Sequence, residues 1–204
     1  MKRPTFLASG LLLLGFSLTG CAPMPGAAGG WTTLIDGMTG LENFNRLGDA
    51  NWRAEDGAIV ADKGAPGFLV SKKSYQNFQI RAEFWADHTT NSGIFMRMSD
   101  PTSATQRNAY EVNIFDQRPG VEYGTGAIVD FAAVAPMPKA GGKWNTFDIT
   151  ARGSQLVVLL NGVQTVNVTN AQFAQGPLAL QFANGANNAP GGAIKWRKLQ
   201  IREL

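Results

Sequence analysis

The sequence predicts an all-β domain, a sandwich or barrel of about ten short strands joined by tight turns. Three observations carry this. Polar and apolar residues alternate with period two through several segments, the pattern of strands buried on one face. Asn161-Gly162 separates two β-prone runs, the strongest short-range hairpin signal. The 204 residues include 24 Gly and 10 Pro, about one in six, with no collagen period and almost no helical period.

Along the chain, residues 1–20 read as an export signal. Lys2 and Arg3 give a positive start, and an apolar run centred on Leu11-Leu12-Leu13-Leu14 follows. That run is too short to span a bilayer of about 30 Å comfortably. Leu18-Thr19-Gly20-Cys21 resembles a bacterial lipobox. The resemblance implies cleavage before Cys21, lipidation of this only cysteine, and an envelope location. Ala22 after it implies the outer membrane, facing the periplasm. Residues 21–30, small and apolar after Cys21, read as a flexible tether. The folded domain is expected over 31–204.

Within it, Trp52 to Val60 reads as a hairpin across Asp56-Gly57. Strands are expected at 79–85, 93–98, 110–115, 146–151, 155–160, 163–168, 178–183 and 194–202, with a short helical turn around 170–174. Trp31, Trp52, Trp144 and Trp196 are read as core.

Composition excludes several functions. Hydrophobic residues are 44% and charged residues 16% of the chain, so it can bury a core. One Cys and one His rule out a disulfide framework, a cysteine zinc cluster and a polyhistidine site. The formal charge of +3 falls to +1 once Lys2 and Arg3 are removed, with no basic cluster to suit nucleic acid.

Alternation sorts side chains onto faces. Gln79, Arg81, Glu83 and Trp85 oppose Ile80, Ala82 and Phe84. Gly93, Phe95 and Arg97 oppose Ile94, Met96 and Met98. Glu111, Asn113 and Phe115 oppose Tyr110, Val112 and Ile114. Ala179, Gln181 and Ala183 oppose Leu178, Leu180 and Phe182. If these strands share a sheet, the mixed faces form one surface. Carboxylate, guanidinium and amide groups beside aromatic rings suit a carbohydrate. The plain alternative is a solvated face with incidental ion pairs.

Trp31-Thr32-Thr33-Leu34-Ile35-Asp36-Gly37, Asn91-Ser92-Gly93-Ile94-Phe95-Met96-Arg97, Tyr110-Glu111-Val112-Asn113-Ile114-Phe115-Asp116, Lys143-Trp144-Asn145 and Gly176-Pro177-Leu178-Ala179-Leu180-Gln181 stand in this order. Together they resemble the 3-keto-disaccharide hydrolase domain family across nearly all of 31–204. The resemblance implies a concanavalin-like jelly-roll sandwich of two antiparallel sheets, with its site on the concave face. It also implies glycosides oxidised at C3 as substrates. The chain departs from the family pattern at Asn113, often Gln there. It departs again after Gln181, where Phe182-Ala183-Asn184-Gly185 replaces an Asp-His-Gly segment.

On that footing the candidate catalytic residues are Glu111, as base or acid, and Arg97, as enolate stabiliser. A Glu111 salt bridge to Arg97 or Arg81 is the structural alternative. Asn91, Asn113, Gln181, Arg81, Glu83, Trp85 and Phe95 are candidate substrate contacts. Asp116 and His88 are secondary candidates, with turn and loop roles as alternatives. No cofactor is expected. A divalent cation is an alternative electrophile, but no calcium loop is recognisable. The rival function is a non-catalytic carbohydrate-binding lipoprotein of the same fold.

Overall fold

The structure is a computed structural model that describes Met1 and residues 30–204. The signal, lipobox and Cys21 readings lie outside the described residues. Strand runs are β1 (Thr32–Asp36), β2 (Phe44–Gly48), β3 (Arg53–Glu55), β4 (Ala58–Ala61), β5 (Gly67–Tyr75), β6 (Phe78–Ala86) and β7 (Asn91–Met96). They continue as β8 (Tyr110–Ile114), β9 (Lys143–Arg152), β10 (Gln155–Leu160), β11 (Val163–Thr169), β12 (Gly176–Ala183) and β13 (Ile194–Glu203). Two turn pairs set the hairpins as expected. Asp56-Gly57 (φ 49° and 75°) joins β3 to β4, and Asn161-Gly162 (φ 53° and 80°) joins β10 to β11. Positive φ at both central residues matches the twist of the paired strands.

All strand pairing is antiparallel, and the strands divide into two sheets. The eight-stranded sheet runs β11-β10-β9-β6-β13-β4-β3, with β1 also on β13. The five-stranded sheet runs β2-β5-β12-β7-β8. This is a jelly-roll sandwich of two antiparallel sheets. The apolar halves of the alternating strands meet between the sheets. Ile80, Ala82 and Phe84 of β6 face Ile94, Met96, Val112, Ile114 and Leu180 in one core. Phe84 stacks on Phe147 at 5.0 Å and packs against Trp196. Each buried Ile, Leu, Val, Met or Phe side chain among these stabilises the fold by about 1.5–3 kcal/mol relative to exposure.

Several expectations are corrected here. No helical turn forms at 170–174; the 3-10 turns lie at Leu41–Asn43, Val121–Tyr123 and Ala186–Asn188. Trp52 and Trp196 are core, whereas Trp31 is half-buried and Trp144 is 38% exposed. β1, β2 and β5 were not among the expected strands.

The mixed face of β6 does not join those of β7, β8 and β12, because β6 belongs to the other sheet. Its polar residues therefore lie on the opposite outer surface of the sandwich. There Arg81 pairs with Asp148 at 2.9 Å and Glu83 with Arg197 at 2.6 Å. Lys195 sits 5.4 Å from the Trp85 ring. Arg81, Glu83 and Trp85 are thus separated from the mixed faces of β7, β8 and β12.

Arg97 is the second displaced residue. Its φ of 54° breaks the strand alternation that would have kept it beside Phe95. The side chain turns inward and is 1% exposed. It donates to the carbonyls of Gln76 (2.8 Å from Nε), Gly153 (2.8 Å) and Phe173 (3.2 Å) and lies 5.9 Å from the Phe78 ring. Burial lowers its pKa. Arg97 ties loops to the core and makes no salt bridge with Glu111.

Candidate functional site

Sheet register assembles the candidate site on the outer face of the five-stranded sheet. Across it, Leu47, Phe68, Gln181, Gly93 and Asn113 are successive partners in one row. Asn45, Val70, Ala179, Phe95 and Glu111 form the next row. Side chains in both rows point away from the main core, as period two demands.

The two rows differ in chemistry. Val70, Ala179 and Phe95 are buried beneath Met98, Ala104 and Ala109 in a small second cluster. Phe95 meets Phe68 edge-on at 5.4 Å. Phe95 is 1% exposed, so the expectation that it stacks on a sugar is corrected: the protein's own hydrocarbon occupies its face. In the neighbouring row Leu47, Phe68 and Gln181 remain half-exposed.

Gly93 makes room for the Glu111 side chain. A Cβ there would stand 2.9 Å from the Val112 carbonyl oxygen, 3.4 Å from Glu111 Cγ and 3.6 Å from Glu111 Oε1. The Glu111 side chain therefore leans over the glycine, between the register positions of Asn113 and Gln181. Around it the acceptors lack donors. Asn113 Oδ1 and Gln181 Oε1 are buried without a hydrogen-bond partner. The Asn113 amide nitrogen donates to the Tyr123 carbonyl at 2.7 Å, which fixes Oδ1 as the free end. Buried orphan acceptors are costly, so this cluster favours a ligand that brings hydroxyl or other donors.

Glu111 is 6% exposed. Desolvation raises its pKa from 4.5 to about 7; the positive charge of Arg118 opposes the rise and the negative charge of Asp130 adds to it. A carboxyl group with that value is partly protonated at neutral pH and can either take or give a proton.

The segment 116–142 closes the strand edge beside Glu111. It runs along the free edge of β8, where Gly126 N donates to the Asn113 carbonyl (2.9 Å), Asn113 N to that of Ala127 (3.0 Å) and Val129 N to that of Glu111 (3.0 Å). Asp116 fastens the segment. Its carboxylate accepts from Thr125 Oγ1 (2.7 Å), Gly141 N (2.9 Å) and Ala140 N (3.0 Å). These bonds occupy Asp116 structurally. Exposed His88 packs at the same corner: a Cβ on Gly141 would lie 2.7 Å from its Nδ1 and 3.2 Å from Asp116 Oδ2. Asn91 begins β7 on the same face as Gly93, and its amide donates to the Asn184 carbonyl at 2.6 Å. The face thus gathers Glu111, Asn113, Gln181 and, at its margin, Asn91. Among the described residues no three His, Cys, Asp or Glu side chains cluster as metal ligands.

Phe68 and Arg118 are relevant residues that the sequence reading did not single out. Phe68-Leu69-Val70 is β-prone and would have disclosed β5. Arg118 lies in a loop, and its field on Glu111 has no sequence signature.

The family model of the 3-keto-alpha-glucoside-1,2-lyase-like domain matches residues 30–202. A proposed glycosyl hydrolase from Parabacteroides distasonis superposes with a TM-score of 0.73 at 19% identity, covering 86% of this chain and 94% of that one. A second from the same organism gives 0.68 at 22% identity, covering 86% and 100%. A carbohydrate-binding module from Bacillus subtilis gives 0.55 at 13% identity, covering 89% and 100%. At these identities the structural likenesses establish the fold. No curated protein matches the chain.

The raised Glu111 pKa makes stability pH-dependent with a defined sign. The folded state holds a proton that the unfolded chain releases near 4.5, so stability falls as pH rises from about 4.5 to about 7 and levels off above. The full change is on the order of 3 kcal/mol. Glu111→Gln should flatten that slope and gain on the wild type at pH 8, as read by denaturant unfolding across this range.

Proposed function

The chain belongs to the 3-keto-alpha-glucoside-1,2-lyase-like domain family, and from that membership we propose that it cleaves glycosides carrying a ketone at C3. A C3 ketone acidifies the C2 proton. In the proposed path the Glu111 carboxylate takes that proton and the electron pair forms an enolate on the C3 oxygen. The enolate collapses, the C1–O bond breaks, a C1=C2 double bond forms, and the protonated Glu111 gives its proton to the leaving oxygen. Water then adds across C1=C2, its hydroxyl to C1 and a proton to C2, which completes net hydrolysis. The single observation that carries this reading is a buried carboxyl with a pKa about 7 standing among unpartnered acceptors. Asn113 Oδ1 and Gln181 Oε1 would accept sugar hydroxyl protons and orient C2 toward Glu111. The positive charge of Arg118 favours the carboxylate form of Glu111 that the first step needs. The path is written with the chain's own side chains; a divalent cation is the alternative electrophile.

The withdrawal of Arg97 from the face favours a second reading, a carbohydrate-binding protein without turnover. One experiment separates the two: incubation with a 3-keto-disaccharide in deuterated water. Catalysis predicts cleavage and a rate that rises with pH through a midpoint near 7. Glu111→Gln should lower the rate by about 10²–10⁴-fold while binding persists. Binding with no cleavage by the wild type would select the second reading.

We also infer that the mature protein is anchored in the outer membrane through lipid on Cys21, facing the periplasm; the lipobox-like Leu18-Thr19-Gly20-Cys21 supports this. Labelling with a radioactive fatty acid should mark the wild type and not Cys21→Ser. Equal labelling of both would overturn the anchor.

A further inference from the structure

The outer face of the five-stranded sheet extends beyond Gln181. A groove of about 640 Å³ opens over its other side, and Leu47 and Val70 form part of its wall. These two residues belong to the same cross-strand rows as Gln181 and Glu111. Val70 is closed off toward Glu111 by buried Phe95 and Ala179, but Leu47, Phe68 and Gln181 are half-exposed in succession. In sheet register that row leads from Leu47, in the groove wall, to Gly93 beside Glu111. Three strand spacings separate Leu47 from Gly93, roughly 14 Å at about 4.8 Å each. One pyranose ring on Glu111 does not reach so far, so the groove faces whatever is attached to that ring.

Its chemistry is polar and one-signed. Arg46 and Lys72 line it, and no carboxylate does. Arg46 is partly engaged, donating to the Trp52 carbonyl. Lys72 is exposed and has no ion pair among the described residues, unlike its neighbour Lys73, which pairs with Glu203. Asn45, Ser74 and Gln175 add exposed amide and hydroxyl groups to the wall. Hydrogen-bonding groups with uncompensated positive charge select a hydroxylated unit that carries an anion.

We propose that this groove is a second subsite, and that it takes an acidic sugar unit, its carboxylate held by Lys72. The inference rests on the carbohydrate reading of the Glu111 face and deepens it: the substrate is a glycoside whose far unit is a uronic acid. Lys72 is a specificity residue here, distant from the reacting atoms.

The test is equilibrium binding by calorimetry at low salt, using two unoxidised disaccharides. They share the first glucosyl unit and end in either glucuronate or glucose. The wild type should bind the acidic one about fivefold more tightly, the scale of one partly exposed ion pair. Added salt should shrink the margin. Lys72→Gln should bring the ratio close to one. Equal affinities in the wild type, a preference that survives Lys72→Gln, or no binding of either sugar would each overturn the proposal. Because neither probe carries a ketone, the outcome is independent of turnover; a 3-keto-disaccharide that binds but is not cleaved would remove the catalytic reading and leave this subsite standing.

Discussion

The arrangement depends on keeping one carboxylic acid dry on a sheet face that would otherwise be open to water. Glu111 sits on β8, an edge strand, and an edge strand is ordinarily the wettest place in a sheet. Segment 116–142 changes that by pairing along the edge, and Asp116 ties the segment down through backbone amides and Thr125. Burial then shifts the acid toward neutrality. A group first considered for catalysis, Asp116, thus acts through the environment it gives another carboxyl.

The same face shows how a jelly-roll sheet divides itself between folding and recognition. One row is filled by Phe95, Val70 and Ala179 under Met98 and Ala109, which seals the loop 99–109 onto the sheet. The next row carries amide oxygens without donors and, at Gly93, space that the Glu111 side chain takes. A glycine in a strand interior is usually a weakness. Here its missing Cβ is what leaves room for the Glu111 side chain to lie across the neighbouring strand, and any larger residue would meet the Val112 carbonyl.

Much of this was legible in the chain. Period-two alternation located β6, β7, β8 and β12 and put Glu111, Asn113 and Gln181 on their non-core faces; Asn161-Gly162 and Asp56-Gly57 marked hairpins by the backbone conformations that Asn, Asp and Gly tolerate. Alternation states only which residues share a face of one strand. It does not say which strands pair, so Arg81, Glu83 and Trp85 were assigned to a surface from which they are separated by the whole core. It also assumes an unbroken strand, and a single left-handed residue at Arg97 reversed the most prominent cation. β5 was missed because Ser71-Lys72-Lys73-Ser74 interrupts its pattern where it bulges against Pro177 and Ala179. Arg118 and Asp130 reach Glu111 through a loop path no local pattern encodes.

The central claim is that desolvation holds the Glu111 carboxyl half-protonated at neutral pH. It is tested most directly by NMR with carbon-13 in the glutamate side chains, following the Glu111 carboxyl resonance through a pH titration and assigning it by its loss in Glu111→Gln. The account predicts a midpoint near 7, well separated from the other glutamates. A midpoint at the ordinary value near 4.5 would mean that the carboxylate is hydrated or paired, and would contradict it.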